Sequence, residues 1–170
     1  TQCVNWFVNK YNKETSYSIY CGIGNNGGDG LVIARLLKSY DYQVEGFVVE
    51  FSESYSNDFQ INLDRLKKVD LIPQYLTEKN HQINKNGKGI VIDAIFGSGL
   101  SKPIEGWIAN VVHQINSLDQ DIVSIDMPSG MFAESNINNI KENVIQASYT
   151  LTFQQPKLTM LLPESYHFVG

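Results

Sequence analysis

The stretch Ser18–Lys38, SIYCGIGNNGGDGLVIARLLK, decides the fold. It reads as a short apolar strand (Ile19, Tyr20, Cys21), a loop GIGNNGGDG, and a helix opening near Gly30. Five glycines within nine positions, Gly22, Gly24, Gly27, Gly28 and Gly30, let the backbone come close to a ligand. A helix start behind such a loop aims unpaired N–H groups at whatever the loop holds. Leu31, Val32, Ile33, Ala34, Leu36 and Leu37 make that helix apolar nearly all round, as in a buried one.

Working outward, the spacing of Val4, Phe7, Val8 and Tyr11 predicts a helix over residues 2–12. VEGFVVEF (Val44–Phe51) reads as a second strand. A helix follows from Asn57 to Val69, with Asn57 or Asp58 as its N-cap. Leu71–Leu76, interrupted by Pro73, suits an edge strand, and Thr77–Lys88 a loop. Gly89–Gly97 is a nearly continuous apolar strand of the buried parallel kind. Pro103 marks the first turn of a helix over Ile104–Leu118. DIVSID (Asp121–Asp126) and YTLTF (Tyr149–Phe153) are further strands, and residues 131–148 are loop with one helical turn at most. Phe168–Gly170 reads as the start of one more strand. Strands alternating with helices predict an α/β, Rossmann-like, doubly wound and mostly parallel sheet with helices on both faces.

The 170 residues fit one domain, residues 1–170, whose abrupt ends fit a piece truncated at both. With 42% hydrophobic and 18% charged residues the chain is of globular type. A net charge of −5 gives no footprint for nucleic acid or an anionic membrane. No apolar run approaches a bilayer span, and the first residues do not form a signal peptide. Two cysteines, Cys3 and Cys21, are too few for a disulfide scaffold, which fits a cytoplasmic setting.

Gly22-Ile23-Gly24-Asn25-Asn26-Gly27 satisfies the dinucleotide fingerprint, and Glu50 falls about where a ribose-binding acid is expected. An NAD-dependent oxidoreductase is therefore one reading. Asp29 argues against it, because a pyrophosphate wants donors where this carboxylate stands, and Asn25 and Asn26 add acceptors as well as donors. Asp93 and Asp126 each lie towards the end of a predicted strand, with Ser129 three residues after Asp126. Ligands of open α/β sheets bind outside the strands' carboxyl ends, so these residues and the glycine loop converge on one crevice. Their oxygens suit a hard cation, with potassium, sodium and magnesium all open. His81, His113 and His167 have no metal-ligand spacing. Gly97-Ser98-Gly99-Leu100-Ser101-Lys102-Pro103 enters the next helix and could take a phosphate. Lys157, after Pro156, is either a surface lysine or one that faces the site.

GNNGGDGLVIARLL, VIDAIFGSGLSKP, VSIDMPSG and TLTFQQPKL, from Gly24 to Leu158, together resemble the NAD(P)H-hydrate epimerases, the YjeF N-terminal domain family. The resemblance implies an isomerase that interconverts the R and S forms of hydrated NADH and NADPH at C6 of the nicotinamide ring. It implies that Asn25, Asn26, Gly27, Gly28 and Asp29 line the substrate site, that Gly97–Pro103 holds the phosphate region, and that Asp126 contacts the hydrated ring. Asn26, Asp93 and Ser129 would ligate potassium (K+). It further implies a homodimer, with the N-terminal helix a candidate contact, and a possible fusion to an ADP- or ATP-dependent dehydratase domain. Residues 131–146 carry least of the pattern. Asp126 is the expected acid/base group. A non-catalytic scaffold of the same fold is the other reading.

Overall fold

The computed structural model describes residues 2–84 and 88–170. Helix α1 (Gln2–Lys10) leads into strand β1 (Ser16–Cys21), helix α2 (Asn25–Ser39), β2 (Gln43–Val49), α3 (Asn57–Lys67) and the short β3 (Gln74–Leu76). Then come β4 (Ile90–Ala94), α4 (Gly106–Asn116), β5 (Asp121–Ile125), β6 (Tyr149–Leu151) and a four-residue helix α5 (Tyr166–Val169). The strands form one sheet in the order β3-β2-β1-β4-β5-β6, and every pairing is parallel. The order reverses between β1 and β4. There the crossovers leave to opposite faces and open a crevice at the carboxyl ends.

Two apolar layers bury the sheet. Val4 and Phe7 of α1, Leu31, Ala34 and Leu37 of α2, and Phe59, Leu63 and Leu66 of α3 pack with Ile19 and Ile92 on one face. Ala109, Val111, Val112 and Ile115 of α4 cover Tyr20, Val49 and Val91 on the other. The doubly wound expectation is met in full.

Most element ends shift by one to three residues from the sequence reading, and four differences have a physical cause in the packing. Helix α2 begins at Asn25, not near Gly30, so NNGGD is its first turn. Glycines are poor helix formers, but tertiary contact overrides propensity here. A Cβ on Gly27 would lie 1.8 Å from the Gly22 carbonyl oxygen, and one on Gly30 2.6 Å from the Ala94 Cβ. Only bare backbone lets α2 sit this close to the sheet. The N-cap of α3 is Ser56, whose Oγ accepts from the Phe59 N–H at 3.2 Å, rather than Asn57 or Asp58. Helix α4 starts at Gly106, three residues beyond Pro103 and at a positive φ of +63°. The C-terminal Phe168 and Val169 are helical, not extended, because they pack against the Met127–Met131–Val144 cluster instead of joining the sheet. Within the expected loop Thr77–Lys88, residues 85–87 lie outside the described residues.

Candidate active site

At the switch between β1 and β4 lies a cleft of about 620 Å³. Its floor is the α2 N-terminus. Gly24 is the N-cap and offers no side chain, so the first N–H groups of the helix face the opening uncapped. Asn25, Asn26 and Asp29 line the cleft. Gly27 and Gly28, expected there, do not: Gly27 abuts the Gly22 backbone, and a Cβ on Gly28 would lie 3.3 Å from the Phe59 amide nitrogen of α3. They are packing glycines. The opposite wall is the loop after β4, where Gly97, Ser98, Gly99, Leu100, Ser101 and Lys102 line the cleft and Pro103 does not.

Asp93 is wholly buried beneath that loop. Its Oδ2 accepts from the Ser124 hydroxyl at 2.7 Å and from the Ser129 N–H at 2.8 Å. Its Oδ1 accepts from the Ser129 hydroxyl and the Ile95 N–H. Burial pushes the Asp93 carboxyl above its ordinary value, with the Ser129, Ser124 and Ile95 hydrogen bonds opposing that shift. The Ser129 Oγ in turn accepts from the Phe96 N–H at 2.8 Å, so the pair fixes the start of the cleft wall.

Asp126, one residue past β5, also lines the cleft. Its φ of +66° is left-handed, a conformation that Asp tolerates better than most residues but that still stores strain. Its Oδ1 forms an ion pair with the Lys157 Nζ at 2.6 Å, and its Oδ2 accepts from the Ser98 N–H at 3.2 Å. Asn26 stands next to it. A Cβ on Gly97 would sit 3.1 Å from Asp126 Oδ2 and 3.2 Å from the Asn26 Cβ, so glycine there lets the two side chains approach. Both polar atoms of the Asn26 amide are shielded from solvent and have no hydrogen-bond partner. Such an orphaned amide asks for a ligand. Asp29, at the mouth, has its carboxyl raised by partial burial, then by the charges of Asp126 and Asp58.

The sequence reading missed the aromatic members. Phe51, Phe96 and Phe153 all line the cleft, and the Phe51 and Phe96 rings stack at 5.0 Å. Each follows a strand end by two residues, after Val49, Ala94 and Leu151. That shared offset was the available signal, since strand ends bound the crevice. Lys157, left open by spacing, faces the site. Glu50 accepts a hydrogen bond from the Tyr55 hydroxyl and does not line the cleft. Neither His81 nor His113 approaches it; they bound a separate depression with Gln114.

The Asn26 Oδ1 is a hard donor with no partner, whereas the oxygens of Asp93 and Ser129 are engaged with each other, with Ser124 and with the Ile95 and Phe96 N–H groups. Among the described residues no cluster of three or more His, Cys, Asp or Glu could hold a metal. Chemically, the cleft offers helix N–H groups that suit an anion, flat apolar walls that suit a ring, and one carboxylate, Asp126, bonded through both oxygens.

The chain is similar to several known proteins. The chain is 35% identical over 150 residues to the bifunctional NAD(P)H-hydrate repair enzyme Nnr of Thermofilum pendens, which covers 86% of this chain but 28% of that protein. It is 34% identical to an NAD(P)H-hydrate epimerase of Lentilactobacillus buchneri, across 98% of this chain and 74% of the relative. The chain thus spans under a third of the bifunctional relative's length. The crystal structure of yeast ynu0 superposes with a TM-score of 0.71 at 23% identity, over 92% of this chain and 66% of that one, a likeness of fold. No helix among the described residues is long and apolar enough to cross a membrane. A family model for the YjeF-related protein N-terminus matches residues 1–159, and to that family the chain belongs.

Proposed function

We propose that this chain is an isomerase that interconverts the R and S hydrates of NADH and NADPH, with Asp126 as its acid/base group. The observation that carries the reading is Asp126 itself: a carboxylate on a left-handed backbone, gripped on both oxygens, at the end of a dinucleotide-sized cleft. The names of the epimerase relatives support the substrate class. Phe51, Phe96 and Phe153 give a flat apolar surface for the reduced ring. The uncapped N-terminus of α2 and the 97–102 loop, with Lys102, suit the phosphates.

The hydrate carries a hydroxyl on C6, beside the ring nitrogen. Inversion needs one bond at C6 to break and re-form on the other face. In one route Asp126, protonated, gives its proton to the leaving hydroxyl. Water departs, an iminium remains, and water adding from the opposite face returns the proton to the carboxylate. In the other, the carboxylate takes the hydroxyl proton and passes it to the ring nitrogen as the C6–N bond opens to an aldehyde and an N–H; the same transfers run in reverse as the nitrogen closes on the other face of the carbonyl. Both need a single proton carrier at one position.

Asn26, Asp93 and Ser129 would hold potassium. Bound there, the ion supplies positive charge against Asp29, Asp93 and the phosphates. A dehydratase partner domain and a homodimer belong to the same proposal; the bifunctional relatives support the first.

Asp126→Asn tests the reading, since Asn also accepts a left-handed backbone and the fold should persist. Epimerisation of a mixed R and S hydrate pool, followed by chiral chromatography, should slow by about 10²–10⁴-fold. A folded Asp126→Asn protein that equilibrates the pool at the native rate would remove Asp126 from the chemistry.

A further inference from the structure

Lys157 lies outside every regular element, in the segment between β6 and a turn of 3₁₀ helix at Leu158–Leu161. Its Nζ donates to Asp126 Oδ1 at 2.6 Å, to Thr152 Oγ1 at 3.1 Å and to the Phe153 carbonyl at 3.2 Å. An ammonium has three N–H donors, and all three are committed. The lysine therefore has none left for a ligand. Its side chain is about one-fifth exposed, and that of Asp126 less still, so the pair is shielded from solvent screening. The two anchors beyond Asp126 both follow β6, and Phe153 itself lines the cleft.

On these contacts we propose that Lys157 is a positioning residue: it fixes the plane of the Asp126 carboxylate by holding Oδ1 while the Ser98 N–H holds Oδ2. A carboxylate on a one-carbon stem swings freely about two bonds, and each orientation presents different lone pairs. Gripping both oxygens from opposite walls leaves one orientation. Ser98 belongs to the loop expected to hold phosphates, and Lys157 is anchored on the carbonyl of Phe153, which lines the cleft. The lysine thus ties the proton carrier to the surface against which the ring would lie. This inference rests on the reading of Asp126 as proton carrier.

The test compares Lys157→Met and Lys157→Arg with the native chain on a mixed R and S NADH-hydrate pool, reading kcat and KM separately. Lys157→Met keeps the stem and removes the grip, so kcat should fall on the order of 10²-fold while KM moves little, as for a small misplacement of a reacting group. Lys157→Arg keeps the charge and should recover part of kcat. Ethylammonium added to Lys157→Ala should restore activity in a saturable way, which a structural role alone would not produce. A folded Lys157→Met protein with native kcat overturns the inference, as does a loss in KM alone. Should Lys157→Met not fold, Lys157→Arg decides: its planar fork cannot reproduce three diverging donors, so an unchanged kcat overturns it. If Asp126→Asn is inactive and Lys157→Met is not, the positioning role fails alone; if Asp126→Asn is fully active, the underlying reading fails first.

Discussion

Asn26 and Asp126 show how single residues divide between stability and function. The Asn26 amide is shielded and has no hydrogen-bond partner, which costs the fold about 1–3 kcal/mol. Asn26→Leu should therefore melt no lower than the native chain in chemical denaturation, yet lose most hydrate epimerisation. A marked loss of stability would mean that the amide is satisfied in solution. The two thiols make a second case. Burial, then the charge of Asp93, pushes the Cys21 thiol far up, and burial raises the half-buried Cys3 more modestly from 9.0. Thiolate, the reactive form, is therefore scarce at neutral pH and grows as pH rises. A disulfide reagent should label Cys3 slowly at pH 7 and faster towards pH 9, and Cys21 only after denaturation. Rapid labelling of two thiols in the folded protein would contradict the packing of β1. Asp93 and Asp126 were legible in the sequence because carboxylates at strand ends stand out from apolar runs, and Ser129 by its place three residues after Asp126. Phe51, Phe96 and Phe153 were not, because an aromatic there looks like core until the strand ends are known.

Among the elements, the strands and the starts of α1 and α3 were legible, and the starts of α2 and α4 were not. Apolar runs announce β1, β2, β4 and β5, whereas the beginning of α2 depends on a contact between Gly22 and Gly27 that no local pattern reveals. That contact gives a paired prediction. A Cβ on Gly27 would lie 1.8 Å from the Gly22 carbonyl oxygen, while a Cβ on Gly24 would meet nothing within 4 Å. Gly27→Ala should cost about 3 kcal/mol or more by overpacking, and Gly24→Ala, at an N-cap with open space around its Cβ, should cost only about 1 kcal/mol. Urea titration of both variants checks this, and equal losses would refute the close approach. At α3, Ser56→Ala should cost about 1 kcal/mol through the lost cap. Pro103 misled the reading of α4, because the chain runs on through Ile104 and Glu105, which is the N-cap, before the helix begins at Gly106.

At the scale of the molecule, the sheet order β3-β2-β1-β4-β5-β6 brings segments far apart in sequence to one crevice. Composition and alternation gave the doubly wound class. The strand order, and with it the meeting of Lys157 with Asp126, needed coordinates. A ligand that binds only the folded state raises its stability. Potassium chloride should raise the melting temperature above that in choline chloride of equal ionic strength, and Asn26→Leu should abolish the difference. Identical melting in both salts would remove the cation from the account. The most direct measurement starts from purified R hydrate of NADH, in potassium buffer, and follows the appearance of the S hydrate by chiral chromatography. With the chain present, the hydrate should approach the R and S equilibrium far faster than in buffer alone. An R hydrate that persists at the uncatalysed rate, with the protein folded and potassium present, would contradict the proposed activity.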